Sequence, residues 1–189
     1  MTDHFAALDQ PRRPWLDTEA LKECFHRASA TWHPDVPGSG DAARFAGANA
    51  AYSVLRDPAW RLRHLLELEA PEMLSGASEI PPEFAELFMR LAELRQALNT
   101  FQKKESAATQ GLARALLIEE RQSMLKRVMT LKTDLDSSYE GSLAALQALD
   151  AEWEPRAAAC IERLAALQQR LAYLSKWRVQ LSEALFKLQ

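Results

Sequence analysis

The chain has 189 residues, 48% of them apolar and 26% charged, with a formal net charge of −3 and a pI near 5.9. That length suits one or two compact domains with real cores, and a mildly acidic chain without a basic block speaks against nucleic-acid binding. No apolar run approaches the ~18 residues of a membrane span, which predicts a soluble protein with no membrane partner.

The start, Met1-Thr2-Asp3-His4-Phe5, has neither the apolar core of a signal peptide nor the Arg/Ser bias of a transit peptide. Cys24 and Cys160 share no motif spacing, as expected of unpaired thiols in a reducing bacterial cytoplasm. Leu, Ala, Glu, Gln and Arg dominate, and runs rich in Val, Ile or Thr are absent, so the expected fold is all-α.

Phe5 and Leu8 suit a short apolar helix or turn closed by Pro11, and 12–16 reads as a linker. Asp17 is a good helix N-cap, with Glu19 in the first turn where the dipole favours negative charge. Leu21, Phe25, Ala28 and Trp32 then fall on one helical face. Pro34 stops this helix at about Trp32 or His33, because the residue before a proline is pushed out of helical geometry. A loop through Pro37, Gly38 and Gly40 follows, until Asp41 caps a second helix with the stripe Phe45, Ala48, Tyr52 and Leu55. Two helices joined by a short loop pack antiparallel, so the stripes should face each other. Arg56-Asp57-Pro58 ends the second helix and starts a third, carrying Trp60, Leu62, Leu65 and Leu66.

His33-Pro34-Asp35 is therefore displayed at a helix-to-helix turn. His-Pro-Asp in such a turn is the signature of J-domains. The residues around it, Asp3-His4-Phe5, Leu8, Pro11, Leu16-Asp17, Ala20-Leu21 and Phe25, resemble the J-domain of HscB-type co-chaperones of iron–sulfur cluster assembly. The run from Asn49 through Tyr52 and Leu55 to Asp57-Pro58, then Arg61 and Leu65-Leu66, continues the resemblance in register. It implies docking on an HscA/DnaK-type heat-shock chaperone and stimulation of its ATP hydrolysis. Asp35 would offer a carboxylate to a chaperone arginine, Pro34 would hold the turn, and His33, when protonated, could interact with the last helix carbonyls. The helix before the tripeptide usually carries a positive docking face. Here that face is Lys22, His26 and Arg27, offset by Glu19 and Glu23, and the position after Asp35, usually Lys or Arg, is Val36.

Pro71, Gly76 and Pro81-Pro82 mark a boundary, giving an expected J-domain at 1–72, a linker at 73–82 and a helical bundle at 83–189. Phe84, Leu87, Leu91, Leu94, Leu98 and Phe101 alternate by three and four, as a bundle seam does. A second seam runs through Leu112, Leu116, Leu117, Met124, Val128, Leu131, Leu135 and Tyr139 to Leu146 and Leu149, with Gly141 as a point where it would bend or break. Asp150, with Glu152, Glu154 and Pro155, reads as the start of a third helix. Its seam is Ala157, Cys160, Leu164, Leu167, Leu171, Leu174, Leu181, Leu185 and Leu188, and only Arg178 breaks the alternation. Such helices with short joints make an antiparallel three-helix bundle, while period and length alone also fit a coiled-coil oligomer; the bundle is the expectation.

Phe88, Met89 and Ala92 lie off the first seam, and Tyr173 and Trp177 flank the last. On the residues alone they either broaden the core or form a partner surface. Leu87 through Leu98 and Arg170 through Leu174 resemble the HscB-type segments that grip the iron–sulfur scaffold protein IscU. The resemblance implies that Phe88, Met89, Ala92 and Tyr173 bind the scaffold, and Trp177, four residues on from Tyr173, is grouped with them as a scaffold-binding candidate. Ala92 stands where the family tends to carry a larger apolar residue. It also implies a J-domain and bundle arranged as an L.

No nucleophile, acid/base pair or metal-ligand spacing is evident, and the paired CxxC motifs of some HscB-type proteins are missing. The reading is a co-chaperone without metal or cofactor, not an enzyme. Its rivals are a J-like helical adaptor with weak or no chaperone coupling, and a J-protein serving a different client.

Overall fold

Four aspartates start the N-terminal helices. Asp3 accepts from the amides of Phe5 and Ala6, Asp17 from Ala20, Asp41 from Ala43 and Arg44, and Asp57 from Trp60 with Pro58 in the first turn. Each cap satisfies amides that a helix leaves unpaired, an effect of about 1 kcal/mol. In this computed structural model, which describes residues 2–35, 40–74, 81–155 and 157–188 (the side chains of Ala113 and Arg114 excepted), the capped elements are α1 (His4–Ala7), α2 (Thr18–Trp32), α3 (Ala42–Leu55) and α4 (Pro58–Glu69). A 3-10 turn over Pro71–Leu74 follows α4. Val36, Pro37, Gly38 and Gly76 lie outside the described residues.

Another 3-10 turn, Pro82–Phe84, leads into α5 (Ala85–Ala107). Then come α6 (Gly111–Leu116), α7 (Ile118–Ala151) and α8 (Ala158–Leu188). Among the described residues there is no strand, and no helix is long and apolar enough to cross a membrane. The fold is all-α, a J-domain followed by a helical bundle.

The chain divides into two compact units that do not follow chain order. One is Met1–Ala77 with Ser142–Ala172, the other Ser78–Gly141 with Tyr173–Gln189. The helices α7 and α8 thus contribute residues to both, and α7 runs unbroken through Gly141.

In the first unit α2 and α3 pair as the hairpin the stripes require. Leu21, Ala48, Ala51 and Leu55 are buried between elements, and Phe25 stacks on Tyr52 with centroids 4.3 Å apart. Burying a leucine in this way contributes about 1.5–3 kcal/mol. The short α1 packs on α3, and its fully buried Phe5 lies parallel to the ring of His64 on α4. The Nε2 of His64 accepts the His4 amide at 3.0 Å. Arg61 is buried as well, donating to the carbonyls of Pro14 and Leu55 at 2.9 and 2.8 Å. Trp60, grouped by sequence with the apolar residues of α4, is instead 56% exposed, with the Arg63 guanidinium over its ring. The inner face of α4 is already filled by Leu62, Leu65 and Leu66.

The second unit has a continuous core drawn from the Pro82–Phe84 turn, α5, α7 and α8, including Phe84, Leu94, Phe101, Val128, Leu135, Leu174 and Leu181. Two seam assignments change. Leu112 and Leu116 are each 75% exposed, because the chain breaks between α6 and α7 and α6 sits outside the seam, whereas Leu117 packs on the core. On α8 the interruption at Arg178 disappears, because Trp177 takes the inward position and is only 5% exposed. Arg178 turns aside to donate to Asp136 of α7 at 2.6 Å, with its guanidinium 4.2 Å from the Tyr139 ring centroid. Hydrogen bonds from Lys132 and then Arg178 hold the Asp136 carboxyl below its ordinary range, against the opposing effect of burial.

Candidate functional site

The tripeptide turn is built by the ends of α2 and α3. His33 caps α2 with φ −56° and ψ 134°, the extended geometry forced on a residue before proline. Its amide still donates to the Ser29 carbonyl, and the Asp41 amide donates back to the Trp32 carbonyl at 3.1 Å. That bond closes the turn across its base. The His33 ring stands edge-on to Phe45 of α3 at 5.0 Å, and its Nδ1 accepts the Asp35 amide at 3.3 Å. His33 thus faces forward onto Asp35.

The Asp35 side chain is 89% exposed, and its carboxylate lies 3.6 Å from His33 Nδ1. A carboxylate so placed keeps its lone pairs for a partner cation. Gly40 explains how the turn stays tight. A Cβ there would lie 2.8 Å from the His33 carbonyl oxygen and 2.9 Å from that of Pro34. Sequence reasoning passed over Gly40 as one of several loop glycines; the signal available was its place just before the capping Asp41.

On α2, Lys22 lies 3.7 Å from Glu19, and Arg27 donates to the Cys24 sulfur at 3.0 Å. His26 and Arg27 are exposed on the same helix. From α3, Arg44 adds a cation over the Trp32 ring while lying 3.4 Å from Asp41. Lys22 and Arg44 each lie beside an acid, so the helix presents a mixed rather than a strongly basic face.

The second group of candidates lies wholly in the second unit. Phe88 and Met89 on α5 are 42% and 57% exposed, and Ala92, one turn on from Phe88, is exposed too. Tyr173 on α8 is half-buried. Trp177 joins the two helices beneath them, its ring 6.4 Å from Phe88, 5.4 Å from Tyr173 and 5.7 Å, edge-on, from Phe84. Exposed Phe and Met side by side, beside a half-buried Tyr and over a buried Trp, form a patch with a rigid floor. Trp177 is that floor rather than part of its surface. Among the described residues no group of three His, Cys, Asp or Glu side chains could hold a metal ion.

A capped antiparallel hairpin displaying His33-Pro34-Asp35, with a helical bundle after it, defines a J-domain co-chaperone. No protein-family model matches the chain. It is 30% identical to the co-chaperone protein HscB homolog of Bordetella pertussis over 142 residues, 71% of this chain and 79% of that one. Over 64 residues, 32% of this chain and 16% of the other, it is 42% identical to the chaperone protein DnaJ of Nostoc punctiforme. In fold it is similar to the chaperone HscB from Vibrio cholerae, with a TM-score of 0.60, 17% identity and full coverage of both chains. The chain belongs to the HscB family of co-chaperones.

Proposed function

We propose that this co-chaperone stimulates ATP hydrolysis by an HscA/DnaK-type chaperone and delivers an IscU-type iron–sulfur scaffold to it in the bacterial cytoplasm. His33, Pro34 and Asp35 engage the chaperone, with Lys22, His26 and Arg27 contributing the docking charge. Phe88, Met89, Ala92 and Tyr173 hold the scaffold, and Trp177 supports them from below. Functionally the chain divides into a J-domain at 1–72, a linker at 73–82 and a scaffold-binding bundle at 83–189.

The observation that carries this reading is the pairing of an exposed Asp35 on a braced turn with a separate aromatic patch. One surface offers charge and the other apolar area, as two different partners require. Coupling between them requires that the chaperone's nucleotide states differ in affinity for the co-chaperone. A J-protein for another client is favoured by one feature, the small Ala92 in the middle of the patch, which makes it shallow. Titrating purified IscU-type scaffold against the full chain, and against Met89→Ala with Tyr173→Ala, separates the two. Saturable binding weakened at least tenfold in the double variant supports the scaffold reading, and no binding by the parent chain refutes it.

A further inference from the structure

The segment between α1 and α2 is fastened on both sides. On one side Arg12 donates to Asp3 at 2.7 Å and Glu69 at 3.3 Å, and the Pro14 carbonyl accepts from buried Arg61. On the other, within the same compact unit, stands Asp150 in the last turn of α7. Asp150 is buried and accepts Arg13 Nε and the Trp15 amide, each at 2.9 Å, with a second Arg13 nitrogen on its other oxygen. A little further on, Trp153 Nε1 donates to the Arg12 carbonyl at 3.2 Å.

The helix itself gives no reason for a carboxylate there. The C-terminal turn of a helix carries partial negative charge and disfavours an anion. Burying that anion costs several kcal/mol unless donors surround it. Both penalties are met by groups far away in sequence, Arg13 and the Trp15 amide. Their bonds are bidentate and charge-assisted, the geometry that fixes orientation as well as distance.

We propose that Asp150 is a positioning residue, locking the α1–α2 segment onto the α7–α8 turn so that the His33-Pro34-Asp35 hairpin is held at one angle to that turn. The helix α8 that begins at this seat also carries Tyr173, so the lock serves scaffold-dependent stimulation; this consequence rests on the function proposed above. The chaperone-binding turn and the scaffold patch keep all their own residues when the lock is removed.

The test uses the full chain with spin labels at Glu23→Cys on α2 and Glu162→Cys on α8, in a Cys24→Ser, Cys160→Ala background. Pulsed dipolar spectroscopy should give one narrow distance in the parent. Asp150→Ala and, independently, Arg13→Ala should at least double its width, and Asp150→Asn, which keeps an acceptor for the Trp15 amide, should fall between. In single-turnover ATP hydrolysis the scaffold-dependent increment should drop at least fivefold in Asp150→Ala. Scaffold affinity and scaffold-free stimulation should stay within twofold. Arg13 is a partly exposed side chain, so its variant answers the question even where Asp150→Ala unfolds. Unchanged widths in both variants overturn the proposal. A parent chain without any scaffold-dependent increment overturns the delivery reading instead, and the widths still decide the positioning role.

Discussion

Gly40→Ala tests how the His33-Pro34-Asp35 turn, proposed to engage the chaperone, is held. The added Cβ would sit 2.8 Å from the His33 carbonyl oxygen and 2.9 Å from that of Pro34, where ordinary contact begins at 3.4 Å. Both neighbours are backbone, so no side chain can rotate away, and the turn must shift by about 0.6 Å. Overpacking of this kind costs about 1–3 kcal/mol. Either the fold absorbs that strain or the turn escapes it by moving out of its docking geometry. In the second case, with tenfold in an equilibrium for each ~1.4 kcal/mol, engagement of the chaperone falls by roughly 5- to 140-fold. The assay is ATPase stimulation against co-chaperone concentration, read beside the thermal unfolding midpoint. The expected result is a half-saturating concentration raised at least fivefold, or a midpoint lowered by several degrees. Wild-type values of both would refute the claim that Gly40 is there for close approach.

Asp35→Asn should abolish ATPase stimulation while leaving scaffold titrations and the urea midpoint unchanged, since its carboxylate is exposed; unfolding of this variant would make the turn structural. Trp177→Ala removes a buried ring from beneath Phe88 and Tyr173 and should cost about 3–5 kcal/mol in urea denaturation, with scaffold binding lost as well, whereas Trp177→Phe should keep most of both. The His4 imidazole is held below its ordinary pKa of 6.5 by burial first and the neighbouring His64 second. The folded state therefore binds fewer protons than the unfolded chain just below that value, and stability should fall as pH drops through 6.5 toward the lower folded value. His4→Gln should flatten this slope in pH-dependent thermal melts, and an unchanged slope would remove His4 as its source.

Much of the J-domain was legible because its signals are local. Asp17, Asp41 and Asp57 cap helices a few residues ahead of themselves, and Pro34 ends one through its own ring. The bundle seams were legible wherever spacing alone decides the inward face. They misled where a helix breaks, as at Leu112 and Leu116, and where two neighbours compete for one inward position, as Trp177 and Arg178 do. Trp177 prevails because its large apolar ring fills the core and Arg178 has Asp136 and Tyr139 to reach. Asp150 read as the start of a helix, but it closes α7 and pairs with Arg13 across 137 residues. No periodicity carries that contact. The aromatic patch on α5 and α8 lies between these cases, since off-seam Phe88 and Met89 stood out in the sequence but their common floor did not.

The most direct test of the account is single-turnover ATP hydrolysis by the cognate HscA/DnaK-type chaperone, measured with the full chain in the absence and presence of IscU-type scaffold. Stimulation by the chain alone is expected, with a further rise when scaffold is added, both absent with Asp35→Asn. Stimulation that is indifferent to scaffold, or that survives Asp35→Asn, would contradict it.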